Sequence, residues 1–511
     1  MNKQFEGTNR SAIVKDLLDL LHDRDILYCH WKSNEHVGEG LVGKTDLDIL
    51  VDGNSKLEVE RILAEKRFRR FSAVRARNYP GIEDYLGFDK TCGVLIHLHL
   101  HWRLTLGEKF LKGYHLPWER IVLSTRRFDS EHSIYVADAT LEMLLLIIRM
   151  ALKVRLRDRF LALLGRTYGK NGELREHAWL QERLDEQRLR GYAQKLLGPQ
   201  PAELISELAG GKTDLMTLLA LRKSMRVLMG QYRRYGSVIA RFLRWHRELL
   251  CYIGVANERF FHRPIPSRRI CPSGGIMVAL VGCDGAGKSA VANDIVKWLQ
   301  HKLDVVPIYF GSGDGHSSFV RYPLVILHRI LRRVFSSTAA PNDSASSASQ
   351  GKPFFARVSR GLKDLARIPW ALALAYEKRG KLYKAGRARD RGMVVICDRY
   401  PQSQIPDFND GPLLAHWSHH RFWLLRTLSN WEGSVYEQAE ENPPDLVIKL
   451  QVKAEVALTR KPETGEDEVL RRVKAISDLR YPAPARMVTV DANAPLNEVV
   501  LEVRQLVWES I

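Results

Sequence analysis

Residues 282–289 read GCDGAGKS and match the pattern G-x-x-x-x-G-K-[ST] at every fixed position. An apolar run, 276–281, leads into them, and a helix-forming run, 290–300, leaves them. A buried strand must therefore end, turn through glycines and restart as a helix. In such a turn successive backbone N–H groups curl around an anion, and the new helix points its positive end at it. Gly282, Asp284, Gly285, Ala286, Gly287, Lys288, Ser289 and Ala290 are thus the candidate nucleotide-binding residues. Lys288 is the residue type that neutralises β- and γ-phosphates, and Ser289 the type that ligates Mg²⁺. ATP and Mg²⁺ are the expected cofactors. The competing reading is a glycine turn that binds nothing.

The chain around this loop has 511 residues, length for about two to four domains. It has no apolar run of about 18 residues, so no membrane span is expected; residues 141–150 are apolar but short, and Arg149 interrupts them. The opening MNKQFEGTNR lacks the apolar stretch of a signal peptide. Six cysteines without C-x-x-C spacing predict a reduced, cytoplasmic protein with no cysteine metal site. The net charge of +19 is uneven: residues 149–269 hold 25 Lys and Arg against 11 Asp and Glu. With no aromatic-interleaved basic motif, nucleic acid is not the expected partner. The basic middle region is expected to be an intramolecular scaffold with at most weak peripheral contact to anionic membranes. A dimer or other oligomer stays open.

Three blocks and a linker emerge. Residues 1–137 mix helix and strand patterns, with a helix over 11–22 and strands near 26–32, 47–51 and 94–100. Residues 138–262 read as a basic helical region that starts at a cap, Asp138. Residues 263–275 form a linker rich in proline, glycine and arginine. Residues 276–511 alternate strand and helix, with strands near 276–282, 305–311, 393–398, 445–452 and 487–491. That predicts an α/β domain: a five-stranded parallel sheet with helices on both faces and ligands at the carboxyl ends of its strands. Residues 336–350, SSTAAPNDSASSASQ, read as a disordered surface insertion.

Four segments in order give this last block a resemblance: CDGAGKS at 283–289, VVICDRYPQS at 394–403, PDLVIKLQVKAEVALTRK at 444–461 and VDANAPLNEVVLEVRQLVW at 490–508. Together they resemble the thymidylate kinase family of P-loop nucleoside monophosphate kinases. The resemblance implies ATP-dependent phosphoryl transfer to a nucleotide substrate. It places Asp284 at the acceptor sugar, Arg460 near the adenine of ATP, and Arg471 or Arg472, after a lid-like stretch at 463–468, over the phosphates. Asp398 ends a core strand where a carboxylate can hold Mg²⁺, and Arg399 can fork onto an acceptor phosphate. Structural alternatives are an Asp398–Arg399 ion pair, a solvated face at Arg471 and Arg472, and a helix cap at Arg460. The family's Arg-Glu-Pro-Gly segment is replaced by YFGSGDGHSS at 309–318, which leaves the acceptor open.

The first block carries its own pattern. In GKTDLDILVD, residues 43–52, Asp46 and Asp48 alternate along a strand and face one side, where paired carboxylates can hold a divalent metal. With His30-Trp31-Lys32-Ser33 upstream and His99-Leu100-His101-Trp102-Arg103-Leu104 downstream, the block resembles uncharacterised bacterial nucleotidyltransferase-like proteins of α+β fold. The position expected to carry a third acid is His99. His97, His99 and His101 share one strand face, either as packing residues or as ligands for a transition metal. Two alternatives to a kinase follow. One is nucleotidyl or phosphosugar transfer in polysaccharide biosynthesis, with the kinase fold regulatory. The other is a non-enzymatic, ATP-switched assembly factor.

Overall fold

The computed structural model describes residues 11–154, 158, 171–211, 213–311, 353–405, 411–462 and 465–511. The expectations for MNKQFEGTNR, for 336–350 and for most of YFGSGDGHSS lie outside them, as do the first two residues of the lid-like stretch. The chain forms two compact units, one of residues 1–262 with 266–272, the other of 263–265 with 273–511.

The first unit is built on eight strands. They are β1 (Tyr28–His30), β2 (Leu47–Val51), β3 (Arg69–Ala73), β4 (Ile82–Asp89), β5 (Val94–His101) and, after the separate β6–β7 hairpin (Leu104–Leu106, Tyr114–Leu116), β8 (Arg127–Asp129), β9 (Ile134–Val136) and β10 (Arg269–Ile270). Their order is β10-β3-β4-β5-β2-β1-β9-β8, with mixed directions. Alternation along the strands sorts two cores. Tyr28, Ile49, Leu98 and Leu100 pack with the helices Ala12–Asp23 and Lys56–Glu65. Cys29, Trp31 and Leu50 pack with the helix Ala139–Lys153 and those that follow it.

Residue 138 divides the sequence pattern but not the packing. Asp138 does cap its helix, accepting from Thr140 N. That helix, however, buries twelve residues, many in the core that holds Trp31 and Leu50. Polar contacts reinforce the join. Asn34 N and Nδ2 donate to Glu142 at 3.0 and 2.6 Å, and Ser33 N donates to Glu176 at 3.1 Å. Arg149, the charge that interrupts the apolar run, pairs with Glu176 at 2.5 Å and lies 5.6 Å from the Trp31 ring. The helical region and the strand region therefore share one interior. The helix Ser237–Ala256 departs from the expected scaffold role, because none of its residues is buried.

The second unit has five parallel strands, β11 (Ile276–Gly282), β12 (Val305–Tyr309), β13 (Val394–Asp398), β14 (Leu446–Gln451) and β15 (Arg486–Asp491), in the order β12-β13-β11-β14-β15. Each lies within about two residues of its expected position. All seven residues of β11 are buried, as a central strand covered on both faces requires. The helices Lys288–Gln300 and Leu496–Ser510 pack together, and Pro353–Asp390 packs with Trp423–Glu441. The second strand in sequence goes to the edge, the third returns beside the first, and the fourth lies on the first strand's other side. The order reverses at β11, and the loop after that strand opens at the topological switch point, where such sheets bind ligands.

Candidate active site

The loop after β11 is shaped by two left-handed residues, Gly285 at φ +86° and Gly287 at φ +83°. A Cβ on Gly285 would also sit 2.9 Å from Ala457 O, so close approach of neighbouring backbone excludes a side chain there. The helix begins at Lys288, two residues earlier than its apolar run suggests, which puts Lys288 and Ser289 in the first turn. Ala286 is buried against the loop, and Ala290 follows Ser289 in the same turn.

Lys288 is buried and donates to Cys283 O at 2.7 Å, with Asp284 at 3.7 Å. Burial, helped by the neighbouring Arg399, lowers its pKa to about 8. Its ammonium is held folded back on the loop, poised to exchange a carbonyl for an anion.

Ser289 Oγ donates to Asp398 Oδ2 at 2.5 Å. Asp398, the last residue of β13, is buried, and its Oδ1 has no hydrogen-bond partner among the described residues. An orphaned buried carboxylate oxygen beside a hydroxyl is a donor set that fits a hard divalent cation. Arg399 follows in the left-handed region, φ +71°, a backbone state that costs on the order of 1 kcal/mol for a non-glycine residue. Its N–H donates to Leu280 O at 3.0 Å, and its guanidinium donates to Asp284 Oδ1 at 2.8 Å. Arg472 reaches the other oxygen of Asp284 and also pairs with Glu468. Burial works against ionisation of Asp284, yet Arg399, Lys288 and Arg472 together hold its carboxyl below the usual range.

The site residues expected from sequence are therefore not all gathered. Lys288, Ser289, Asp398, Arg399, Asp284 and Arg472 converge at the carboxyl ends of β11 and β13. Arg471 does not: it is exposed and makes no hydrogen bond or ion pair among the described residues, because one step along a helix turns a side chain by about 100°. Arg460 ties the loop to the end of β15, donating to Ala492 O at 3.0 Å and Gly285 O at 3.4 Å.

A second cluster lies in the first unit. Asp48 and His99 are cross-strand partners, and so are Asp84 and His99. This row across β2, β5 and β4 brings in a carboxylate that sequence pattern missed. Asp84 was traceable by counting back through the β4–β5 hairpin from His99. Its Oδ1 meets His97 Nε2 at 2.9 Å, His99 Nε2 at 2.8 Å and Arg269 Nε at 3.0 Å. Asp46 lies just before β2, with Oδ1 2.7 Å from His97 Nδ1. Asp48 Oδ1 contacts Lys32 at 2.9 Å, His101 at 3.2 Å and His99 at 3.4 Å. Burial raises Asp84 and Asp48, but histidine contacts, with Arg269 at Asp84 and Lys32 at Asp48, hold both below the usual range. His99, opposed by burial, is raised by Asp48 and Asp84, whereas burial drops His101 to about 3. Ligand atoms of Asp46, His97 and His99, and those of Asp48, His99 and His101, lie within 4.8 Å of one another.

No family model matches the sequence. Over 238 residues the chain is 28% identical to the uncharacterised ATP-binding protein YghR of Escherichia coli (strain K12), covering 45% of this chain and 86% of that one. It is 26% identical to the uncharacterised ATP-binding protein YghS of the same organism, over 44% of this chain and 89% of that one. It is 25% identical to a probable thymidylate kinase of Methanosarcina mazei, over 46% of this chain and 97% of the relative. A deoxyadenosine kinase from M. mycoides with bound dATP superposes at a TM-score of 0.23 and 13% identity, over 45% of this chain and 98% of that one, too loose a fit to bear on function. The loop, the parallel sheet and these relatives together make the second unit a P-loop kinase-like domain.

Proposed function

We propose that the second unit transfers the γ-phosphoryl group of ATP to a phosphorylated acceptor, a nucleoside monophosphate being the first candidate. The observation that carries this is the convergence of Lys288, the Ser289–Asp398 pair, Arg399 and Arg472 around one glycine loop. Phosphoryl transfer needs positive charge and in-line placement more than covalent help from the protein. The loop amides and Lys288 bind the β- and γ-phosphates. Ser289 and Asp398 would hold Mg²⁺, which supplies charge neutralisation on those phosphates. Arg399, fixed by its bond to Leu280, orients the acceptor phosphate, and Arg472 closes from the following helix. The names of the E. coli and Methanosarcina relatives favour ATP and kinase chemistry, and they do not select the acceptor.

The test is a panel of nucleoside monophosphates with ATP and Mg²⁺, read as ADP release. Acceptor-dependent release supports a kinase. Release that no acceptor stimulates favours the ATP-switched assembly factor.

A second reading concerns the first unit, where two overlapping Asp/His triads lie within ligand distance. The residues do not fit Mg²⁺. Each carboxylate is already engaged by imidazole, and Mg²⁺ prefers oxygen. The cluster suits a softer divalent metal, which makes independent Mg²⁺-dependent nucleotidyl transfer by Asp46 and Asp48 slow or absent.

A further inference from the structure

A helix that packs on a core turns its apolar face inward. Ser237–Ala256 does the reverse. Val238, Phe242, Trp245, Leu249, Tyr252 and Ile253 recur at three- and four-residue spacing, so they share one face. That face is exposed: Val238 by 80%, Trp245 by 62% and Phe242 by 61%. The partly covered residues, among them Leu243, Arg244, Arg247, Cys251 and Gly254, lie on the other side. Arg247 stands 5.5 Å from the Tyr79 ring, and a Cβ on Gly254 would lie 3.3 Å from Ser267 Cβ. The turn that follows extends the apolar surface with Phe260 and Phe261, 68% and 66% exposed.

Charge selects the occupant. Residues 222–269 hold 12 Lys and Arg against two Asp and Glu, a net +10 out of +19 for the whole chain. A second copy would bring the same cationic surface against itself, which is repulsive. An anionic bilayer is complementary to it. Trp, Tyr and Phe suit the headgroup boundary, and each Lys or Arg near an anionic membrane adds roughly 1 kcal/mol of attraction. At 20 residues the helix is long enough to span, yet no described helix is apolar enough to cross a membrane. It is therefore suited to lie in the membrane plane.

We propose that Ser237–Ala256 is an interfacial helix that docks the chain on anionic lipid surfaces, with Phe242 and Trp245 as its apolar anchors. The sequence predicts only weak membrane contact for the basic middle region; the exposed apolar face adds an anchor to its charge.

The experiment is co-sedimentation of the full chain with vesicles of phosphatidylglycerol and phosphatidylcholine, beside vesicles of phosphatidylcholine alone, at about 0.15 M salt. Binding to the anionic vesicles only is expected. The double variant Phe242→Ser, Trp245→Ser should bind about tenfold or more weakly, with an unchanged thermal melt because both side chains are exposed. A blue shift of tryptophan emission on binding, absent from Trp245→Phe, would place that ring in the interface. The proposal is overturned if anionic vesicles leave the protein in the supernatant, or if the double variant binds as well as the parent. It is equally overturned if the double variant turns a dimer into a monomer while the parent ignores vesicles, which would give the face to a second copy.

Discussion

Arg399 Nη2 donates to Asp284 Oδ1 at 2.8 Å, and Arg472 takes the other oxygen of the same carboxylate. A single acid in the phosphate loop thus gathers two guanidiniums from different elements. If the proposed phosphoryl transfer holds, an acceptor phosphate would compete with this carboxylate for the two guanidiniums.

Neighbouring arginines should therefore behave differently. Arg399→Ala and Arg472→Ala should each lower acceptor-dependent turnover by about 10²-fold or more, mainly through loss of acceptor binding at Arg399. Arg471→Ala should stay within about twofold of wild type, because its side chain is exposed and away from Asp284. Steady-state kinetics on the three variants decide the matter. Equal losses at 471 and 472 would mean that the helix Glu466–Asp478 presents another face during turnover.

Lys288→Ala should abolish phosphoryl transfer, and Asp398→Asn should lower the rate by about 10²-fold with ATP still bound. Single-turnover assays beside equilibrium nucleotide binding separate the two effects. Wild-type rates in Asp398→Asn would reduce the Ser289–Asp398 contact to a structural bond.

Nucleotide affinity should fall as pH rises through about 8. Burial and Arg399 depress Lys288 to about 8, so the free site loses its proton there, while bound phosphates favour the charged form. Calorimetric titration in two buffers of different ionisation enthalpy should reveal proton uptake on binding near that pH. The stability effect has the opposite sign. The folded value lies below the ordinary 10.5, so this lysine's destabilising contribution is largest below about 8 and fades as pH rises toward 10.5. Binding that is flat from pH 7 to 9 would mean Lys288 does not meet the phosphates.

Much of the second unit was legible because its signals are local and redundant. A buried parallel strand is a continuous apolar run, the phosphate loop has a fixed spacing, and each turn falls between a run and a helix. What was not legible depends on pairing at a distance. The Arg472 contact with Asp284 spans 188 residues, and only the helix phase distinguishes Arg472 from Arg471. In the first unit the short strands β8 and β9 and the mixed-direction neighbours left no clean alternation. Nothing local marks Glu142, Arg149 and Glu176 as partners of the strand region, because Ser33, Asn34 and Trp31 lie more than a hundred residues away. The outward apolar face of Ser237–Ala256 was hidden for the converse reason. Helical periodicity reveals a face, and only the fold reveals which way it points.

The Asp84 row should govern the acid stability of the first unit. The Asp84 carboxyl is held below its ordinary 3.8, so its contribution is present above that value and is lost as pH falls further. His99 is raised above 6.5, so its contribution is full below 6.5 and is lost as pH rises past its raised value. Asp84→Ala would leave His97, His99 and Arg269 without that carboxylate and should cost about 2–4 kcal/mol. Urea unfolding followed across pH checks both slopes. A variant with the parent's pH profile would place the acid sensitivity elsewhere.

The same cluster makes a claim about metals. Mg²⁺ should bind unit 1 weakly, and a softer ion such as Mn²⁺ or Zn²⁺ should bind more tightly, because imidazoles crowd every carboxylate. Metal binding must displace the protons shared within the Asp–His pairs, so affinity should rise with pH as His99 loses its charge. The full chain carrying Lys288→Ala and Asp398→Asn, which silences the kinase-like site and removes its carboxylate metal ligand, allows metal binding by the first unit to be measured by calorimetry. His99→Ala should remove the tighter metal and leave Mg²⁺ binding little changed, whereas Asp46→Asn should weaken both. The same protein, assayed with each nucleoside triphosphate, should give little nucleotidyl transfer in Mg²⁺. Robust Mg²⁺-dependent transfer that disappears in Asp46→Asn would overturn the metal preference argued here. It would also make the first unit a transferase in its own right, with Asp84 supplying the third acid across from His99.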